Sequence, residues 1–263
     1  MTKVMGQGQV AEIGDTNHNV YILPYYKRCK MNNIPIAEIF LSVQGEGKNT
    51  GKPSIFIRVW GCNLRCRFNG QNCDTPYAVI TEKDSAKFTT QDDLITKIKE
   101  YQPIKHLVIT GGEPMLYQEI IGETMRQLYK EDKDYTSEME TNGTIFCQPL
   151  TRVAIDQFNI SLKLKSSNQE DGYDNKRINY DNIKSYPSYK SNFKFVVNNA
   201  TDIEEILAIH NDFPDIPVYL MPQGITRDEI ISNSLPVIGI CLKYNFIYSP
   251  REHIIIFNNK RGV

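Results

Sequence analysis

Three cysteines lie within one short polar segment, and they are the residues best suited to chemistry. The string GCNLRCRFNGQNCDT places Cys62, Cys66 and Cys73 in a C-x3-C-x6-C spacing. Thiolates are soft ligands for zinc and iron–sulfur centres, and three of them leave a coordination position open. The alternatives are a zinc ion completed by a distant ligand, or free thiols that are neighbours by chance. Polar neighbours such as Arg65 and Arg67 argue against free structural thiols, which prefer apolar surroundings.

Two glycine-rich strings are further candidates for ligand contact. The string VQGEG at 43–47 superficially suggests a phosphate loop, but Pro53 stands where such a loop needs a Ser or Thr to hold Mg²⁺. The string TGGEP at 110–114 follows an apolar run. Its two glycines would let the backbone approach a ligand closely, although a tight strand-to-helix turn would use them equally well.

Composition limits the class of protein. The 263 residues are 40% hydrophobic and 23% charged, with a formal net charge of −1. These values describe an ordinary globular chain and disfavour both disorder and a basic nucleic-acid clamp. No apolar stretch approaches the roughly 18 residues that would span a membrane, and the N-terminus lacks the apolar core of a secretion signal. We therefore expect a cytoplasmic protein whose cysteines do not form a disulfide framework.

Strand-like and helix-like segments alternate along the chain. The β-rich runs are 54–60, 106–112, 137–141, 158–164, 193–197, 218–222 and 253–257. Helices are expected from a cap at Thr89 or Thr90 through Tyr101, and around 120–129 and 203–210. This alternation predicts an α/β fold with a mainly parallel sheet, whose chemistry gathers at the carboxyl ends of the strands. Residues 1–33 are interpreted as an N-terminal extension of unknown role, and 166–191 as a surface excursion.

These motifs together resemble the 7-carboxy-7-deazaguanine synthase family, a branch of the radical S-adenosylmethionine (SAM) enzymes. The resemblance rests on IAEIFLSVQGEGKNTGKPSIFIRVWGCNLRC, CDT, VITGGEP, METNGT, ISLKLKSS, FKFVV, LMPQG and HIIIFNNKRGV, in that order from about Ile36 to Val263. It implies an incomplete (β/α) barrel of the radical SAM type over 34–263. Among rivals, a glycyl-radical activating enzyme would share the radical SAM motifs, and a zinc-bearing binding module would share only the cysteines.

The resemblance also implies a reaction and its participants. The expected cofactors are a [4Fe-4S] cluster, SAM and Mg²⁺. The expected reaction converts 6-carboxy-5,6,7,8-tetrahydropterin to 7-carboxy-7-deazaguanine with loss of ammonia, through a 5′-deoxyadenosyl radical. Expected partners are the pterin substrate, an electron donor such as flavodoxin or ferredoxin, and a second copy of the chain in a homodimer. No direct contact with nucleic acid or a membrane is expected.

Site residues follow from the same resemblance. The expected metal ligands are Cys62, Cys66 and Cys73 for the cluster and Thr75 for Mg²⁺. Contact with SAM is expected from Asn72, Asp74, Gly112, Ser161, Leu162, Lys163 and Gln223. Contact with the pterin is expected from Val43, Gln44, Gly45, Arg58, Thr110 and Val263. No side chain is assigned as a catalytic acid, base or nucleophile, because the cofactor performs the difficult step.

Arg58 illustrates the choice that remains at several of these positions. An unpaired guanidinium inside an apolar strand is costly, so an anion should meet it. The resemblance supplies the substrate carboxylate, to which a guanidinium can donate two parallel hydrogen bonds. A structural salt bridge is the alternative. At the other end of the chain, the terminal NNKRGV is expected to close over the active site.

Two departures from the family pattern stand out. Relatives commonly have C-x3-C-x2-C, whereas this chain has four additional residues before Cys73. Relatives often have SPK where this chain has Ser161, Leu162 and Lys163. The first departure bears on which of residues 69–72 lies against SAM, and the second on the backbone shape near Lys163.

Overall fold

The computed structural model describes residues 33–68, 71–73, 75–79, 86–167, 174–197, 201–258 and 260–262. Its strands are β1 (Asn33–Val43), β2 (Pro53–Val59), β3 (Arg67–Phe68), β4 (Gln71–Asn72), β5 (Lys87–Thr90), β6 (His106–Gly111), β7 (Thr136–Thr141), β8 (Gln157–Ile160), β9 (Ser191–Val197), β10 (Val218–Pro222) and β11 (Ile247–Tyr248). Its helices are α1 (Gln91–Lys99), α2 (Gln118–Glu131), α3 (Pro149–Ala154), α4 (Asp174–Arg177), α5 (Tyr180–Lys184), α6 (Asp202–Asp212), α7 (Arg227–Tyr244) and α8 (Glu252–Phe257). In this part of the chain, every helix is too short or too polar to cross a membrane.

One nine-stranded sheet organises these elements in the order β11-β10-β9-β8-β7-β6-β2-β1-β5. All neighbours from β2 to β11 pair in parallel. Strand β1 runs antiparallel to β2, and β5 runs antiparallel to β1. Because β11 and β5 stand at opposite ends of this order, the sheet is open. The predicted α/β architecture with a mainly parallel sheet is confirmed.

The helices cover one apolar face of the sheet. Successive residues of a strand point to opposite sides, so the register identifies which side chains share a face. On the covered face, the strands contribute the buried side chains Ile55, Ile57, Leu107, Ile109, Met139, Phe158, Phe193, Phe195 and Leu220. Helix residues such as Leu94, Met125 and Ile206 belong to the same core cluster. Burial of this face is the main stabilising term of the fold.

The other side of the sheet, called the polar face below, carries charged and amide side chains. Its members from β2, β6, β7, β8 and β9 are Arg58, Thr110, Glu138, Glu140, Asn159 and Lys194. Such residues are costly to bury unless they are paired. Their concentration on one face makes it the place where a polar ligand would be recognised.

Helix α1 shows how local sequence sets an element. Thr90 precedes it in an extended conformation, and its hydroxyl accepts a hydrogen bond from the Asp93 N–H at 3.2 Å. Such a cap satisfies one of the unpaired donors of the first turn. Leu94, Ile95 and Ile98 are buried, as the spacing predicts.

Three predictions about elements are wrong. Residues 253–257 form helix α8 rather than a strand, because the Arg251 carbonyl accepts from the Ile254 and Ile255 N–H groups and starts a helical turn. Strand β8 ends at Ile160, so 161–164 are not strand. The segment 166–191 is not only a surface excursion, since Ile183 and Tyr186 lie in the core.

Candidate active site

Two short strands within the cysteine segment pair with each other. Strands β3 and β4 pair antiparallel, with Arg67 opposite Asn72. Directly beyond that pair, the Cys73 N–H donates to the Cys66 carbonyl at 3.1 Å. A hairpin therefore brings the second and third cysteines together at its base, and the longer C-x6-C spacing does not separate their backbones.

The first cysteine is close to the second. Cys62 packs against Cys66 and Leu64 in a small cluster apart from the main core. Burial raises the pKa of the Cys62 thiol to about 11. In the described residues, no group of three or more His, Cys, Asp or Glu side chains is arranged around a common metal position. The fit of this segment to an iron–sulfur cluster rests on its three thiol donors, on the packing of Cys62 against Cys66, and on the backbone contact between Cys66 and Cys73.

The glycines of TGGEP join β6 to the start of the cysteine segment. A Cβ added to Gly112 would lie 2.0 Å from the Gly61 carbonyl oxygen, and one on Gly111 would lie 2.2 Å from that of Val59. The Gly112 N–H donates to Val59, and the Glu113 N–H donates to Gly61 at 2.8 Å. The close approach that these glycines permit is therefore to the backbone before Cys62. This packing against the end of β2 is a third reason for the glycines, and contact of Gly112 with SAM remains a prediction.

Glu113 connects this turn to the end of β7. Its buried carboxylate accepts from the Thr141 hydroxyl at 2.7 Å, the Asn142 N–H at 2.7 Å and the Met115 N–H at 3.0 Å. Burial raises the pKa of Glu113 despite these donors. The Asn142 amide in turn donates to the Asn63 side chain at 2.9 Å, beside Cys62. Sequence reasoning assigned Glu113 no role, although a glutamate next to two glycines in an apolar turn is an unusual residue.

The residues expected to hold SAM are placed at the ends of β8 and β10. The Lys163 ammonium donates to the Ser161 hydroxyl at 2.9 Å, and its charge acts on both Cys62 and Glu113. Leu162 is buried in the core, so only its backbone could meet a cofactor. Gln223 follows β10, and its carbonyl accepts from Asn233 at 2.8 Å. The structure thus places Lys163 beside the cysteine segment.

Some expected contacts fall outside the described residues. Asp74 and Val263 are among these, and of Asn72 only the backbone in β4 is described. Thr75 precedes a short turn in which the Ala78 N–H donates to the Thr75 carbonyl at 3.1 Å.

Arg58 is held by a carboxylate of the protein. Its Nε donates to Glu38 Oε1 at 2.7 Å, and both side chains are largely buried. Burial acts to raise the pKa of Glu38, but hydrogen bonds from Tyr77 and Arg58 outweigh burial and lower that pKa. The structural salt bridge considered from the sequence is therefore present. The register also places Arg58 directly beside Thr110, so two residues expected at the substrate are neighbours on the polar face.

A buried ionic network ties the VQGEG string to the polar face. Lys194 is 1% exposed, and its ammonium donates to Glu46 at 2.7 Å and Glu140 at 2.8 Å. Arg251 donates to the other oxygen of Glu46 at 3.0 Å. The charges of Glu140 and Glu46 outweigh burial and raise the pKa of Lys194, while Lys194 and Arg251 hold the pKa of Glu46 well below its usual range.

The residues before Glu46 are committed to contacts within the protein. The Gln44 amide nitrogen donates to Glu138 and, at 3.4 Å, to Glu140, while its oxygen accepts from the Glu46 N–H at 3.2 Å. The Gly45 carbonyl accepts from the Glu252 N–H at 2.9 Å, so helix α8 packs directly on this turn. Val43 closes β1 opposite Pro53. Contacts within the protein therefore already order the turn of Val43, Gln44 and Gly45, for which contact with a pterin is predicted.

Glu138 and His106 form a second buried polar pair on this face. Burial and the charge of Glu140 raise the pKa of Glu138 to about 7, whereas burial lowers the pKa of His106 to about 4. The His106 Nε2 lies 3.9 Å from Glu138. Asn49 also donates to Glu138, at 2.6 Å.

Sequence reasoning identified Arg58 but missed the other charged residues of the polar face. The signal was present as alternation, since Glu138 and Glu140 in SEMET and Lys194 in FKFVV interrupt otherwise apolar strands at period two.

Comparison with known proteins identifies the class and then the family. Residues 58–185 match the radical SAM superfamily. The 7-carboxy-7-deazaguanine synthase of Halobacterium salinarum is 33% identical over 249 residues, which cover 86% of this chain and 91% of that protein. The synthase of Clostridium acetobutylicum is 32% identical over 244 residues, covering 88% and 100%. The crystal structure of QueE from Escherichia coli matches with a TM-score of 0.64 at 26% identity, covering 84% of this chain and 95% of that one.

The open sheet, the cysteine segment that follows β2 and the superfamily match define a radical SAM enzyme. Within that class, the chain belongs to the 7-carboxy-7-deazaguanine synthase family.

Proposed function

We propose that this enzyme converts 6-carboxy-5,6,7,8-tetrahydropterin to 7-carboxy-7-deazaguanine and releases ammonia. The observation that carries the proposal is a single arrangement. A cysteine segment of the radical SAM type is fixed to the end of β6, and the next strand on the polar face carries Arg58 beside Thr110. Family membership supplies the reaction. The zinc-module and glycyl-radical alternatives are not favoured, because the relatives that match most of the chain are deazaguanine synthases.

The donor set supports the cofactors. Cys62, Cys66 and Cys73 would hold the [4Fe-4S] cluster, and three thiolates would leave one iron open for SAM. When bound and reduced, the cluster would supply the electron for reductive cleavage of SAM, which is the chemistry that would start hydrogen abstraction from the pterin.

Residues of this chain would position SAM at that cluster. Lys163, whose positive charge acts on Cys62, suits a carboxylate, and Ser161 beside it offers a hydroxyl. Asn72, Asp74, Gly112, Leu162 and Gln223 complete the proposed contacts. The Glu113–Asn142 link fixes the position of the cysteine segment relative to β7.

The polar face supports recognition of a polar bicyclic substrate. Arg58 would bind the substrate carboxylate, and Thr110 on the adjacent strand would donate to it or to the ring. The Val43, Gln44 and Gly45 turn would pair with the edge of the pterin ring, and Val263 would meet it from the end of the chain. The ion pairs of Lys194 with Glu46 and Glu140 on the same face would present a fixed polar surface to the substrate.

Several finer assignments belong to the same proposal. Thr75 would contact Mg²⁺, which takes oxygen ligands. A flavodoxin or ferredoxin would supply the electron, two chains would form a homodimer, and the enzyme would work in the cytoplasm. Residues 1–33 would be an extension outside the radical SAM domain.

The direct test is product formation. Anaerobically reconstituted enzyme is incubated with SAM, reductant, Mg²⁺ and 6-carboxy-5,6,7,8-tetrahydropterin, and products are resolved by mass spectrometry. We expect 7-carboxy-7-deazaguanine to accumulate only when SAM and reductant are both present, without a matching amount of 5′-deoxyadenosine, because loss of ammonia from the pterin is redox-neutral. Formation of 5′-deoxyadenosine with an intact pterin, at every Mg²⁺ concentration, would contradict the proposed reaction while leaving the radical SAM class intact.

A further inference from the structure

Four side chains from separate parts of the chain meet beside the proposed substrate site. They are Glu38 of β1, Arg58 of β2, Tyr77 of the turn that follows the cysteine segment, and Arg261 near the C-terminus. Glu38 is the common partner. One carboxylate oxygen accepts from Arg58 at 2.7 Å and from the Tyr77 hydroxyl at 2.8 Å, and the other accepts from Arg261 at 3.1 Å.

Arg261 also stacks on Tyr77. Its guanidinium carbon lies 3.6 Å from the centroid of the tyrosine ring, the geometry of a cation–π contact. The Arg58 guanidinium lies 5.8 Å from the same centroid. The end of the chain is thereby attached both to the segment that follows the cysteines and to the carboxylate that orients Arg58.

Helix α8 and Lys260 have contacts of their own, which are separate from those of Arg261. Helix α8 is anchored at its C-terminal end by Arg227, whose guanidinium donates to the Ile256 carbonyl at 2.9 Å and whose backbone N–H donates to the Asn258 side-chain oxygen at 3.0 Å. Lys260 is exposed, and its N–H donates to the Phe257 carbonyl at 3.3 Å. Arg261 therefore adds a further attachment beyond the contacts of Asn258 and Lys260.

This cluster carries more positive than negative charge. Two guanidinium groups share one carboxylate, each at a different oxygen. A second carboxylate that binds Arg58 would restore the balance of charge. Glu38 would keep its contact with the Arg58 Nε, and the added negative charge would also favour a positive Arg261 beside it. Binding of an anion at Arg58 and docking of Arg261 should then favour each other, and such coupling is reciprocal.

We propose that Arg261 is a positioning residue for the substrate: it docks the chain end on Tyr77 and Glu38, and through Glu38 it holds Arg58 in place for the substrate carboxylate. This inference rests on the proposed role of Arg58. Arg261 need not touch the substrate, because it acts through the carboxylate that both guanidinium groups share.

Kinetics of the reconstituted holoenzyme give the first part of the test. We expect Arg261→Ala to raise KM for the pterin about fivefold to tenfold, because an ion pair and a cation–π contact are both lost. The KM for SAM should stay unchanged, and kcat should change less than KM. Lys260→Ala is the matched control, since it removes the same charge one residue earlier without touching the cluster. Arg261→Lys should recover only part of the effect, because an ammonium lacks the planar fork.

A readout that does not depend on turnover completes the test. Trypsin cleaves after Lys260 and Arg261, and mass spectrometry measures loss of the chain end from holoenzyme without reductant. We expect the pterin substrate to slow this cleavage about threefold or more in the wild type through the coupling described. Tyr77→Leu leaves both cleavage sites intact and should abolish the protection, whereas Tyr77→Phe keeps the ring and should retain most of it.

The outcomes separate this inference from the proposed function. If Arg58→Lys raises KM for the pterin but Arg261→Ala behaves like Lys260→Ala, Arg261 is not a positioning residue and the role of Arg58 stands. Cleavage that the substrate does not slow in the wild type would also overturn the inference. If Arg58→Lys leaves KM unchanged while product still forms, both the role of Arg58 and the inference fail, but the reaction assignment survives.

Discussion

Removal of the Lys194 ammonium should destabilise the enzyme far more than removal of an exposed lysine. Lys194 is 1% exposed and joins Glu46 and Glu140 at 2.7 and 2.8 Å. Lys194→Met keeps the length of the side chain and deletes its charge, so two partly buried carboxylates lose their shared partner. Breaking a buried ion pair in this way costs about 3–5 kcal/mol.

The neighbours of the two carboxylates place the expected cost at the low end of that range. Glu46 keeps Arg251 at 3.0 Å, and Glu140 keeps the Asn159 amide at 2.9 Å. We therefore expect a loss of about 3 kcal/mol in the free energy of unfolding, which lowers the urea midpoint by about 1 M for a chain of this size.

Urea denaturation of cluster-loaded protein, followed anaerobically by circular dichroism, measures this loss. Lys97→Met is the control, because Lys97 is exposed and its described contacts, an ion pair with Glu100 and a cation–π contact with Tyr101, are local ones at the surface. Its midpoint should match that of the wild type. Adding Glu140→Gln to Lys194→Met should restore part of the stability, since one uncompensated charge disappears.

The pH dependence gives a second check on the same reasoning. In the wild type, the lowered pKa of Glu46 means that its contribution to stability is present near neutral pH and is lost on acidification. In Lys194→Met, the uncompensated carboxylates gain by protonation, so the gap between the two proteins should narrow as the pH falls. Equal midpoints for Lys194→Met and Lys97→Met, or a gap that widens in acid, would refute the ionic network as a source of stability.

Two further predictions concern other buried features. Because burial and the charge of Glu140 raise the pKa of Glu138 to about 7, the contribution of Glu138 to stability falls as the pH rises from about 5 to 8. Glu138→Gln, which cannot ionise, should therefore gain about 2 kcal/mol relative to the wild type over that interval in urea titrations; a constant difference between the two would contradict the assignment. Gly112→Ala should cost about 3 kcal/mol and reduce iron incorporation, because its Cβ would lie 2.0 Å from the Gly61 carbonyl oxygen. Gly239→Ala, a helical position with open space around it, should be neutral or stabilising by thermal melting; equal losses for both glycine variants would show that close approach at Gly112 is not the cause.

The sequence was sufficient for the parallel sheet and for the position of the cysteines. Period-two and period-3.6 patterns are local, and they predicted α1 with its Thr90 cap because capping and burial act within one turn. The same local logic failed for 253–257. There, a run of isoleucines favours a strand, but packing of α8 on Gly45, which is distant in sequence, selects a helix.

The sequence predicted which types of residue form the site, but not which residues they contact. Arg58 required an anion on electrostatic grounds, yet only the register of β1 against β2 shows that Glu38 stands opposite it. Likewise, the additional residues before Cys73 gave no indication of their shape until β3 and β4 paired. The network of Glu46, Lys194 and Glu140 joins three strings that are far apart in the chain, so no local pattern could reveal it.

The central claim is that Cys62, Cys66 and Cys73 hold a cluster with one iron open to SAM. Electron paramagnetic resonance of anaerobically reconstituted, dithionite-reduced enzyme, recorded with and without SAM, tests it most directly. The account predicts about four irons per chain, a [4Fe-4S]⁺ signal whose g values shift when SAM is added, and loss of that signal in Cys73→Ala. Stoichiometric zinc without iron, or a cluster signal that SAM does not alter, would contradict it.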